Sequence, residues 1–275
     1  FGDALKTLCE SGLRCYIVAG NHDPFDDPAL WRHQVNIPAG AHLFGPTWEV
    51  QEFKTDSGES CAFVGRSFSD TLNDRSALEG LEALRSQLKS AAFSVGLLHG
   101  DVDGAKTEER GYAPVSLSAL RSAGCQAWLL GHLHRRAEPL CERPLVIYPG
   151  NPQGRDINEE GPKGALVVTL EAGKPPGTEF IPLGRIGWQR LPVKIENCRN
   201  DDDIRQAILR EMKGAASRWG LPLTGLVARV SLAGRDGSLG FWREMTRPGK
   251  LLEIQAQFEA PGTGSRSRDP SQPCL

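Results

Sequence analysis

Ala127-Trp128-Leu129-Leu130-Gly131-His132-Leu133-His134 is a short apolar run that stops at a glycine and passes straight into two histidines one residue apart. Apolar residues bounded in this way read as a buried strand. The His-x-His that follows sets both imidazoles on one side of an extended chain, with Leu133 turned away. The pattern recurs twice upstream. Leu13 to Ala19 is a buried-strand run that ends at Gly20-Asn21-His22-Asp23, and Phe93 to Leu98 is a strand that ends at His99-Gly100-Asp101. Four of the six histidines therefore follow predicted strands directly. In layered α/β folds the carboxyl ends of neighbouring strands meet along one edge, where ligands bind. The three runs predict a single cluster assembled from distant parts of the chain.

Each run alone has a plainer reading. A lone histidine after a strand is commonly a hydrogen-bonded structural residue, and Gly, Asn and Asp are turn formers. His33 and His42, in polar or loop contexts, keep that plain reading. The coincidence of three runs is what points to chemistry. Neutral imidazoles with an amide oxygen suit divalent Mn, Zn or Fe. A carboxylate such as Asp23 beside His22, or Asp101 near His99, would fix a tautomer. Glycines next to the ligands let backbone and phosphate approach closely. Such a set matches metal-assisted hydrolysis, in which one metal polarises a phosphoryl oxygen and another supplies hydroxide.

Outward from these runs, strands and helices alternate. Phe1 to Glu10 has helical spacing and ends near Gly12, but it starts at full amphipathic strength without an N-cap, as the back end of a helix would. Ser60 to Val64 reads as a strand, and Ala77 to Lys89 as a helix with Leu78, Leu81, Leu84 and Leu88 on one face. Ser116 caps a short helix that ends at Gly124. Leu145 to Tyr148 and Ala165 to Leu170 are further strands. The alternation predicts a layered α/β domain over 1–185. After a turn-rich boundary at 182–187, the strand 191–195, a helix from the acidic Asp201–Asp203 to about Trp219, and strands at 226–232 and 251–258 predict a small α+β unit over 188–259. Residues 260–275 have almost nothing to bury and read as a disordered tail.

Composition narrows the partners. Of 275 residues, 32 are basic and 34 acidic, a net charge of −2, so bulk positive charge does not hold nucleic acid here. Apolar residues at 39% together with 31 glycines suit a globular chain. No run approaches the roughly 20 apolar residues of a membrane span. The seven cysteines are scattered, without a Cys-x-x-Cys pair, which argues against a disulfide framework and for a reducing cytosol.

Gly20-Asn21-His22-Asp23, His99-Gly100 and Gly131-His132-Leu133-His134 resemble, in order and spacing, the later motifs of the calcineurin-like metallophosphoesterases. Tyr112-Ala113-Pro114-Val115 with the helix after it, and Tyr148-Pro149-Gly150-Asn151-Pro152-Gln153-Gly154-Arg155, resemble the DNA-repair exonuclease branch, the SbcD-type nuclease subunits. The resemblance covers residues 1 to 185 well and the smaller unit more loosely, as a capping domain. It implies a phosphodiesterase acting on DNA through two divalent metals, manganese first among them, with a coiled-coil ATPase partner and a homodimer. By position, Asn21, His99 and His132 would ligate one metal and His134 the other. His22 would donate a proton or hydrogen bond to the leaving oxygen, with Asp23 orienting it. Arg135, Arg136 and Arg155 would meet backbone phosphates.

Two departures qualify these expectations. The family's opening Asp-x-His and Gly-Asp-x-x-Asp runs are not found before Gly20, which with the uncapped first helix predicts an N-terminally incomplete domain. Asp156 stands where the branch often has His. Three neutral ligands without a bridging carboxylate compensate a dication poorly, so the expectation for this chain is weak binding of one metal and little hydrolysis. The alternatives are a metallophosphoesterase acting on a nucleotide or phosphoprotein, and a non-catalytic interaction module that retains the fold.

Overall fold

Strand 127–131 shows how the main sheet is built, because its side chains alternate between two interiors. Trp128 and Leu130 enter one, Ala127 and Leu129 the other. The computed structural model describes residues 1–69, 77–103, 113–219, 223–233 and 254–258. Contacts divide the chain into two compact units, Phe1–Pro152 with Lys163–Leu183, and Gln153–Pro162 with Gly184–Leu275.

The first unit runs α1 (Gly2–Glu10), β1 (Cys15–Ile17), a π-helical turn (Ala29–Val35), β2 (Ala41–Leu43), β3 (Glu49–Lys54), β4 (Ser60–Arg66), a 3-10 turn (Leu81–Leu84), α2 (Arg85–Ser90), β5 (Phe93–His99), α3 (Leu117–Ser122), β6 (Ala127–Gly131), β7 (Cys141–Glu142), β8 (Leu145–Ile147), β9 (Gly164–Thr169) and β10 (Gly177–Pro182). Six strands form one sheet in the order β3-β4-β5-β6-β8-β7. Its inner four are parallel, and β3 and β7 pair antiparallel at its ends. The β5–β6 register sets His99 opposite Gly131, which brings two of the sequence motifs to one edge.

One face of this sheet is covered by helices: Trp128, Tyr148, Leu120, Leu88 and Val64 interlock there, all fully buried or nearly so. The other face carries two strand pairs, parallel β1–β2 and antiparallel β9–β10. Tyr16 of β1 stacks on Phe63 with centroids 4.5 Å apart, while Leu166 and Val168 of β9 pack on Ala127, Leu145 and Ile147. Between these contacts the same face lines a cavity of about 600 Å³ with Phe53, Phe63, Phe93, Val95, Leu129 and Val168. The layered α/β class expected from the sequence is the one observed.

Local differences have physical causes. The expected helix 77–89 is broken, because Gly80 takes φ +88 and only Arg85–Ser90 closes α-helical turns. Ser116 caps α3 as read, its hydroxyl accepting from the Ala119 N–H at 3.0 Å. The first unit does not run unbroken to 185. Gln153–Pro162 goes with the second unit, where the Trp188 indole N–H donates to the Gly154 carbonyl at 2.9 Å and Gln153 Nε2 donates to that of Ile186.

The second unit contains β11 (Ile186–Lys194), α4 (Asp201–Arg218), β12 (Gly225–Ala233) and β13 (Ile254–Phe258). Asn200 caps α4 by accepting from the Asp203 N–H, and the Asp203 carboxylate accepts from the Arg199 N–H. Ile204, Ala207, Ile208, Met212 and Ala215 then bury one face of α4 in a core with Val193 and Val230. The sheet order is β11-β12-β13 and every pairing is parallel, with α4 as the crossover between β11 and β12. The sequence reading had no means of predicting that register. Of the strand expected at 251–258, residues 254–258 are described; the tail 260–275 lies outside the described residues. Among the described residues, all six cysteines are free and no helix is long and apolar enough to cross a membrane.

Candidate functional site

His99 ends β5 and its ring lies where two glycines leave room for it. A Cβ on Gly20 would stand 2.5 Å from His99 Cε1, and one on Gly131 would stand 2.8 Å from its Nδ1. Both glycines flanking the histidine motifs are therefore required by sterics. His99 Nε2 lies 2.8 Å from Asn21 Oδ1, so the Nε2–H donates to the amide oxygen. The His132 ring stands edge-on to it, with centroids 5.3 Å apart, and the Phe68 ring flanks it on another side. Burial first, and then the nearby imidazoles of His132, His22 and His134, push the His99 pKa down to about 4. The ring is neutral at physiological pH, the form in which an imidazole binds metal.

His132 follows β6 directly and adopts φ +107, a backbone region that L side chains rarely enter. Its Nε2 lies 3.3 Å from Asp101 Oδ1, with both side chains about nine-tenths buried. Asp101 thus serves His132, where the sequence reading paired it with His99. The segment that carries Asp101 is braced by the buried Tyr148, whose hydroxyl donates to the Gly100 carbonyl at 2.7 Å and accepts from the Val102 N–H at 3.0 Å.

The 20–23 turn is held in the same manner. The Ala19 N–H donates to Ser67 Oγ and the Phe68 N–H to the Ala19 carbonyl, fixing the strand end. Asp23 accepts from the Gly20 N–H at 2.8 Å, so its Oδ1 closes the turn beneath His22. His22 itself is exposed. His42, outside the cluster, pairs with Glu49 at 2.9 Å; the side chain of His33 lies outside the description.

The three arginines separate. Arg135 is exposed. The Arg136 guanidinium lies 4.5 Å over the Phe180 ring, which occupies it as a cation–π partner. Arg155 belongs to the second unit and stands 3.9 Å from Glu159. Asp156 accepts from the Asn158 N–H at 2.6 Å and is a turn former. Tyr112 lies outside the described residues.

Lys163 was absent from the sequence reading. It is buried, and its Nζ donates to the His134 carbonyl at 2.8 Å. No local signal marks it, since a lysine before a strand is ordinarily solvated.

Asn21 Oδ1, neutral His99 and His132 with its carboxylate are donors of the kind a divalent cation takes. Their number is short: among the described residues no three His, Cys, Asp or Glu side chains group closely enough to hold a metal. The chemistry of the donor set fits the cation, while these residues do not close a site around it.

No family model matches the chain. A Bacillus subtilis (strain 168) protein described as an uncharacterized metallophosphoesterase, YhaO, is 30% identical over 207 residues, 74% of this chain and 48% of that protein. The chain thus spans about half the length of the curated relative it matches. The chain is thus similar over these 207 residues to a protein described as a metallophosphoesterase, and it shows a layered α/β fold with the His99 and His132 motifs at one edge of its six-stranded sheet.

Proposed function

We propose that the protein is a metal-dependent phosphodiesterase of the DNA-repair exonuclease kind, with Asn21, His99 and His132 holding one divalent cation and His134 a second. The observation that carries this reading is the convergence of Asn21, His99 and His132 from three separate strand ends, beside an exposed His22. Bound cations of this class polarise a phosphoryl oxygen and lower the pKa of water. The chain's own groups do the rest. Asp101 places a carboxylate oxygen 3.3 Å from His132 Nε2. Burial keeps His99 free of a proton it would otherwise carry in mild acid. His22, open to solvent, donates a proton to the leaving oxygen from the turn that Asp23 closes. Arg135 meets a neighbouring phosphate. Manganese suits the mixed imidazole and oxygen donors. DNA as substrate rests on the Tyr148–Arg155 run and on the small unit after it.

Any hydrolysis the protein shows with Mn²⁺ is expected to release nucleotides from linear duplex DNA far faster than it cleaves a small aryl phosphodiester. Equal or inverted rates would move the substrate to a nucleotide. His22→Ala is expected to abolish turnover with bound metal unchanged; loss of the metal instead would make His22 a ligand. A second reading, a module that keeps the fold and binds without turnover, is favoured by the short donor count. It predicts DNA binding by the protein without any metal-stimulated cleavage.

A further inference from the structure

Cys9 and Cys15 come together where α1 ends and β1 begins. Cys9 lies one turn after Leu5, the buried residue of α1, so both project from the face that meets β1 and β2. Side chains alternate along β1: Tyr16 stacks on Phe63 of the main sheet, which turns Cys15 the other way, toward α1. Gly40 locates the meeting point from both sides. Its carbonyl accepts from the Cys15 N–H at 3.4 Å, and a Cβ on it would stand 3.5 Å from Cys9 Sγ. The Cys15 thiol is hydrogen-bonded to Cys9; burial first, and then that neighbouring thiol, raise its pKa. Both cysteines are free and only partly buried, so a small reagent reaches them.

The turn between them holds this arrangement. The Gly12 N–H donates to the Cys9 carbonyl at 3.0 Å and the Leu13 N–H to that of Leu8 at 3.1 Å, with Gly12 at φ +89. These bonds reverse the chain at the end of α1 and return position 15 to the side of position 9. Little else fastens α1, which has nine residues, one buried side chain and no side-chain cap at its N-terminus. A helix this short is marginal in water by itself, so a covalent tie at its end acts directly on its stability.

We propose that Cys9 and Cys15 are a redox-sensitive pair, which a small disulfide such as oxidised glutathione converts to an intramolecular disulfide tying the end of α1 to β1. One thiolate attacks a sulfur of the oxidant, forming a mixed disulfide and releasing one reduced glutathione. The other thiolate attacks the protein sulfur of that mixed disulfide, closing the Cys9–Cys15 bond and releasing a second. Two electrons pass from the pair to the oxidant, and the two thiol protons end on the two glutathione molecules. In reducing surroundings the dithiol is the resting form, and the disulfide records an oxidising change.

The test equilibrates the reduced full chain in glutathione buffers of graded composition, alkylates the remaining thiols and digests with trypsin. Cleavage after Lys6, Arg14 and Arg32 leaves the two cysteines on separate peptides, 7–14 and 15–32, so mass spectrometry reads the disulfide as their cross-link. Closing a loop of this length favours the folded chain by roughly 50-fold. The cross-link is therefore expected to form that much more readily in the folded chain than in concentrated urea. By linkage, the oxidised chain is expected to unfold at a higher urea midpoint than the reduced one. Cys9→Ser and Cys15→Ser, checked for folding by far-UV circular dichroism, should each carry a glutathione adduct at the remaining cysteine and no cross-link. Glutathione adducts at both cysteines of the unaltered chain without a cross-link would overturn the proposal. So would a cross-link that forms equally in urea, or an oxidised chain whose midpoint is not raised. These readings come from the unaltered chain and stand whether or not a serine variant folds.

Discussion

The two faces of the six-stranded sheet use alternate residues of the same strands to very different effect. Toward the helices, Trp128 and Tyr148 are completely covered, and the Trp128 indole N–H donates to the Leu120 carbonyl at 3.1 Å. Toward the strand pairs, Leu129 and Val95 line a cavity of about 600 Å³. One face is covered completely at these residues and the other lines a cavity among the described residues. A strand buried on both faces reads as a continuous apolar run in either case, so the pattern alone does not reveal how well each face is filled.

The largest expected effect tests this contrast directly. Trp128→Ala should cost roughly 3–5 kcal/mol, read from urea denaturation. Its neighbour Leu129→Ala should cost about 1 kcal/mol, because its side chain already faces open space. Equal losses would mean that the second face is as tightly packed as the first.

Gly96→Ala sharpens the same point from the opposite direction. A Cβ on Gly96 would stand 2.2 Å from the Trp128 ring, so adding one methyl to the filled face should destabilise by about 1–3 kcal/mol. A neutral result would show that the tryptophan has room to shift.

The strand ends extend the comparison to the candidate site. At His132, with φ +107, replacement by Gly should leave the protein more stable than replacement by Ala, by about 1 kcal/mol. At Leu129, in ordinary strand geometry, Gly should be worse than Ala by about 0.5–1 kcal/mol. The same order at both positions would remove the strain from His132.

The smallest effect is silent at neutral pH. Burial pushes the Tyr148 phenol up to about 12 from its usual value near 10. The folded state therefore keeps the proton while the unfolded state releases it above pH 10. The contribution is whole below pH 10 and is lost as pH rises from 10 to 12. Urea midpoints against pH should show this fall, and Tyr148→Phe should remove it.

Much of this was legible in the sequence because it depends on local pattern. The runs at 93–98, 127–130 and 145–148 are apolar, short and bounded by Gly, His or Pro, and each became a strand near its expected limits. Ser116 and Asn200 cap their helices through bonds that reach only three residues. The approach of His99 to His132 was legible for a second reason: β5 and β6 are parallel neighbours, and residues after them share an edge, whereas Asn21 reaches His99 from beyond β1, outside that sheet. What stayed hidden depends on distance in sequence. Asp101 lies 3.3 Å from His132, 31 residues on, a proximity set by the β5–β6 pairing and not by local pattern. Arg136, expected at a phosphate, also lies over the ring of Phe180, 44 residues on, a contact that no local pattern announces. The helix expected over 77–89 was shortened by a backbone angle at Gly80 that side-chain periodicity does not report.

By itself the amino-acid sequence determined the layered α/β class, the strand ends that carry histidine, and the near-neutral charge that confines any anion contact to a local patch. Hydrophobic period and turn chemistry act within a few residues, and those features need nothing more. The tertiary structure alone decided which carboxylate meets which imidazole, why Gly20 and Gly131 must lack side chains, and that Lys163 is buried against His134. These depend on bringing chain segments tens of residues apart within a few ångströms, and there packing and hydrogen-bond geometry, not local propensity, choose the partner.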